Sequence, residues 1–167
     1  EGLLAGLLLG HSLLFFSFFY TIIRQYPGDE LIRFDFTRRR QIFPTLIFTR
    51  QNLPIMDVSV ETVHEGVSKG GYIVDDCDGT PQVILLATGS EVQIAREAYQ
   101  TLTAAGTKAR VVSLTSWELF DAQDAVYRER VLPAGVTARV SIEAGVTQGW
   151  HKYVGSGGIA IGINRFG

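Results

Sequence analysis

With 167 residues, 46% hydrophobic and 19% charged, the chain can bury one core of its own and is too apolar to be disordered. Its formal net charge of −2, with Arg38, Arg39 and Arg40 as the one local basic run, excludes the basic stripe of a nucleic-acid-binding module. Cys77 is the single cysteine, which excludes an internal disulfide and a cysteine-based zinc site and suits a reducing compartment.

Leu3 to Ile23 runs 21 positions without a formal charge and contains seven leucines and four phenylalanines. About 20 apolar residues suffice to cross a bilayer as a helix. Arg24, Arg33 and Arg38 to Arg40 would then hold the following chain in the cytoplasm. Asp29, Glu30 and Asp35 dilute that bias, and His11 falls mid-span. A signal peptide fits poorly, because no basic residue precedes the run and no small-residue cleavage site follows it. Three readings stand for this segment: a membrane or buried helix, an amphiphilic targeting remnant, or a stretch from a misread frame or spliced gene model. The third is the expectation; membrane association through Leu3 to Ile23 is the option it leaves.

From Thr45 onward the pattern is regular. Thr45 to Thr49 is short and β-rich, and Arg50 to Pro54 leaves it with a proline stop. Ser59 to Lys69 reads as a polar linker ending at Gly70 and Gly71. Tyr72 to Asp76 reads as a strand closed by the turn residues 77–81, and Gln82 to Ala87 as a strand covered on both faces. Ser90 is placed to cap a helix in a capping box with Gln93. Val92, Ala95, Tyr99 and Leu102 share one face of that helix with Ala98 beside them, and Gly106 ends it. Ala109 to Leu114 is the next strand. Ser116 opens a short helix, and Asp124 to Val131 continues helically until Pro133. Ala138 to Glu143 reads as a strand, Val146 to Val154 as a helix and Ile159 to Ile163 as a last strand. Strands separated by helices imply a mainly parallel sheet with helices on both faces.

Few residues carry an obvious chemistry. Gly89, Ser90 and Glu91 stand at a strand-to-helix turn that could cradle a phosphate, but neither a Gly-x-Gly-x-x-Gly pattern nor a Walker lysine is present. Glu91 would also repel an anion there, so a tight capped turn is expected. Asp75, Asp76 and Asp78 do not match a calcium loop and read as a solvated turn. They flank Cys77 with negative charge, which disfavours a nucleophilic thiolate. His64 and His151 lack a partner Ser or Cys in a local motif and are expected at the surface. Trp117, Phe120, Tyr127 and Trp150 are expected as core or interface anchors. Arg50 is the residue whose setting suggests a ligand: beside Gln51 and Asn52, with Pro54 stiffening the exit, its planar fork of donors suits a phosphate ester or a surface carboxylate equally.

Seven segments in unbroken order carry a resemblance. They are TRQNLP (49–54), KGGYIV (69–74), VILLATGSEV (83–92), RVVSL (110–114), WELFDAQ (117–123), YRERVLP (127–133) and GWHKYVG (149–155), and the resemblance they carry, from near Pro44 to the last residue, spans about three quarters of the chain. In this register they resemble the transketolases, at the end of the family's pyrimidine-binding domain and most of its C-terminal domain. The stretch RVSIEAG (139–145) is most similar to plastid-type members. The resemblance implies a three-layer α/β/α fold like the transketolase C-terminal domain, with a mainly parallel sheet. An apolar N-terminal segment whose structure the pattern does not fix precedes it. The implied organisation is residues 1–43 unlike the family, 44–68 as the end of the pyrimidine-binding domain with a linker, and 69–167 as a truncated C-terminal domain.

The activity so implied is transfer of a two-carbon ketol unit between sugar phosphates, in the pentose phosphate pathway or Calvin cycle. The implied cofactors are thiamine diphosphate and a divalent cation, Mg or Ca. The family's arginine in this Arg-Gln-Asn-Leu pattern binds the sugar phosphate, and here that is Arg50. Gln51 and Asn52 match the pattern but are not carried over as ligands. The resemblance transfers no catalytic, cofactor-binding or metal-binding residue onto this chain. The family's Gly-Asp-Gly…Asn segment, its activating glutamate and its substrate-channel histidines have no counterpart here, and the family continues beyond a sequence like that ending at Gly167. The expectation is therefore a transketolase fragment, inactive alone, homodimeric in its full-length form, and cytoplasmic or in the plastid stroma. The alternative is a non-catalytic interaction or regulatory module reusing the fold.

Overall fold

The computed structural model describes residues 52–165. After an irregular stretch, the elements follow as α1 (Val60–Ser68), β1 (Tyr72–Asp75), β2 (Val83–Ala87), α2 (Glu91–Ala104), β3 (Ala109–Ser113), α3 (Trp117–Asp121), α4 (Ala125–Val131), β4 (Arg139–Ile142), α5 (His151–Val154) and β5 (Ile159–Ile161). One five-stranded sheet has the order β1-β3-β2-β4-β5. The β2–β3, β2–β4 and β4–β5 pairs are parallel, and β1 runs antiparallel to β3 with a register shift between Ile73 and Asp75.

Alternation along the strands sends side chains to opposite faces, and each face has its own core. Ile84 and Leu86 of β2 and Val112 of β3 pack with Phe120 of α3, Tyr127 and Val131 of α4, Trp150 just before α5, and Tyr153 and Val154 of α5. Leu85, Ala87 and Val111 pack under Val92 and Ala95 of α2, with Ala98, Tyr99 and Leu102 partly buried beside them. The expected helix face is the one that is buried, and the result is the expected α/β/α layering. Gly106, at φ +83, leaves α2 in the left-handed conformation that favours glycine. No helix among the described residues is long and apolar enough to cross a membrane; Leu3 to Ile23 lies outside them.

Three local expectations are corrected. Residues 60–68 form a helix, not a linker. Ser59 is extended and its Oγ accepts from the Thr62 N–H at 3.1 Å, and Gly66 is buried against Tyr72. Ser90 makes no cap: its backbone is already helical (φ −65, ψ −27), so its hydroxyl donates to Glu91 Oε1 at 2.8 Å instead. The helix expected from Val146 begins only at His151. Gly149 sits at φ +89, outside helical space, and the Thr147 N–H is taken by Asn164 Oδ1 at 2.9 Å.

Candidate functional site

Open α/β sheets bind ligands beyond the carboxyl ends of their strands, where the strand order reverses. Here the chain passes from β2 to β3 on one side, while β4 and β5 lie on the other, so that point falls between β2 and β4. The turn through Thr88, Gly89, Ser90 and Glu91 lines it from β2. Ala87 pairs with Ile142, so Glu143 leaves β4 beside that turn. Burial raises the pKa of the Glu143 carboxyl above its ordinary value, and the charge of Glu91 adds to the rise. Two carboxylates at this crevice repel a phosphate; the turn is tight, but Ser90 does not cap it as expected.

The aspartate cluster has a different fate from the solvated turn expected for it. Asp75 takes a two-pronged ion pair from Arg96, Nε to Oδ2 at 2.7 Å and Nη2 to Oδ1 at 3.0 Å. That hydrogen bond, more than any other cause, raises the pKa of Arg96. Asp76 takes a second two-pronged pair from Arg110, at 2.8 and 2.9 Å, and its carbonyl accepts from the Tyr99 hydroxyl at 2.6 Å. The third arm of Arg110 reaches the carbonyls of Arg130 and Val131 at 2.7 and 3.3 Å. Asp78 remains an exposed turn residue, and Asp76 keeps 41% of its side chain exposed despite its ion pair. The signal for this network was Arg110 itself, a charge inside an apolar strand, which must find partners when buried.

Arg139 is engaged in the same manner: its guanidinium donates to the carbonyls of Val136, Tyr153 and Pro133 at 2.7–2.8 Å and of Leu132 at 3.4 Å. Burial lowers its pKa. Lys152 pairs with Asp121, which also accepts from the Tyr153 hydroxyl at 3.2 Å. Burial, then the Asp121 charge, push the Tyr153 phenol up. Arg110 and Arg139 are spent on the fold in this way, whereas the Lys152 side chain is 61% exposed beside Asp121. His64 lies on the exposed side of α1, and His151 opens α5, also exposed. Phe120, Tyr127 and Trp150 are buried, and Trp117 meets Trp150 edge-on at 5.3 Å, as expected of core anchors. Among the described residues no group of three or more His, Cys, Asp and Glu side chains could hold a metal ion. Arg50 and Gln51 lie outside the described residues, and Asn52 is exposed at their boundary.

The comparisons with known proteins now bear on this framework. The family model described as "Transketolase-like TK C-terminal domain" matches residues 70–167, which include all five strands. The chain belongs to the transketolase family. It is 50% identical over 151 residues to a transketolase of Nostoc sp., covering 88% of this chain and 22% of that protein. It is 48% identical over 145 residues to transketolase 1 of Escherichia coli, covering 84% of this chain and 22% of that protein. A solved transketolase structure from Pichia stipitis superposes with a TM-score of 0.62 at 42% identity, covering 71% of this chain and 16% of that one. One from Leishmania mexicana gives 0.56 at 45%, covering 62% and 14%. The chain thus spans about a fifth of the length of the transketolases it matches. Because the Nostoc match covers 88% of the chain, it includes position 50 and reaches into residues 1–43, where no motif was found.

Proposed function

We propose that the chain is part of a thiamine-diphosphate-dependent transketolase, which moves a two-carbon ketol unit between sugar phosphates, and that Arg50 grips the substrate phosphate. The observation that carries this reading is a 50% identity extending across the TRQNLP segment into the C-terminal domain. Transketolase of Pichia stipitis has been solved with sedoheptulose-7-phosphate and with fructose-6-phosphate, which supports sugar phosphates as the substrate class. A guanidinium donates two parallel hydrogen bonds to a phosphate and carries a fixed positive charge, so it distinguishes a phosphorylated sugar from a free one.

The described residues do not fit the divalent cation. Asp75 and Asp76 are committed to Arg96 and Arg110, and no cluster of three suitable side chains is present among them. From the family resemblance, which transfers no catalytic residue onto this chain, we expect the isolated chain to be inactive. Full-length assembly as a homodimer in the cytoplasm or plastid stroma, within the pentose phosphate pathway or Calvin cycle, completes the reading.

Alanine in place of the arginine matching Arg50, in a full-length relative, is the test. A charged hydrogen bond contributes about 1.5–3 kcal/mol, or roughly tenfold to a hundredfold in kcat/KM for phosphorylated acceptors. Unphosphorylated acceptors should change far less; equal losses would remove the clamp. The purified chain, supplied with thiamine diphosphate and Mg, should show no ketol transfer above a heat-denatured control.

A further inference from the structure

We draw no further inference here: the strongest candidate, the exposed apolar row of Ile159, Ile161 and Ile163 along and just past β5 at the edge of the sheet, is an unpartnered face, and nothing in the structure shows what covers it.

Discussion

At the β1 edge of the sheet Tyr72 is 6% exposed, α1 packs alongside, and both aspartates at the strand's end are gripped by arginines from α2 and β3. At the β5 edge Ile159 and Ile161 are 62% and 53% exposed on a strand of three residues. The two edges are held by different means. β1 is antiparallel, carries a register shift, and is tied to distant parts of the chain through side chains. β5 is held mainly through its backbone ladder with β4, extended by the Glu143 N–H to the Ile161 carbonyl at 3.1 Å and the Ile163 N–H to the Gly145 carbonyl at 2.7 Å. Side-chain ties should therefore dominate mutational effects on the first edge and be nearly absent on the second.

The largest effect is expected at Arg110. Its side chain is 9% exposed and makes two bonds to Asp76 and two to main-chain carbonyls at the end of α4. Removing one partner of a buried ion pair costs about 3–5 kcal/mol, but the Asp76 side chain is 41% exposed and regains water. Arg110→Ala should then cost about 2–3 kcal/mol in urea-induced unfolding. A loss below about 0.5 kcal/mol, the range of an ordinary surface change, would erase the distinction between the edges.

The opposite sign is expected one strand in from β5. Ser141 of β4 is fully buried between Leu86 and Ala160 in register, and its hydroxyl has no hydrogen-bond partner. An unsatisfied buried hydroxyl costs about 1–3 kcal/mol, and alanine removes it with only a small loss of volume. Ser141→Ala should leave stability unchanged or raise it by about 1 kcal/mol. Destabilisation of similar size would mean that the hydroxyl has a role in the core.

Strand and helix positions were legible because their causes are local. A nearly continuous apolar run gave β2, a 3.6-residue stripe gave α2, and proline or glycine marked the ends. What could not be read came from contacts distant in sequence. Gly66 looked like a linker residue, and only Tyr72 beneath it explains why a helix needs glycine there. Asp75 and Asp76 looked solvated because their partners lie 21 and 34 residues away. For the candidate site, Arg50 was reached through the resemblance of its motif; its planar fork alone fitted a surface ion pair equally well.

The smallest effect, and the sharpest on the β5 side, concerns Glu143. Its folded pKa lies above the unfolded value because burial and the neighbouring Glu91 both disfavour its charge. The unfolded state therefore loses its proton first as pH rises. This group's contribution to stability is fully present below the unfolded value, about 4.3, and is lost as pH climbs through the higher folded one. Near pH 7 the ionised carboxylate is a net cost. Glu143→Gln should thus stabilise the protein at pH 7, with the advantage shrinking steadily toward pH 3–4, where both side chains are neutral. Paired thermal melts of parent and variant across that range decide the point. A difference independent of pH would attribute the effect to packing against Gly145, and the two carboxylates at the strand ends would then be electrostatically separate.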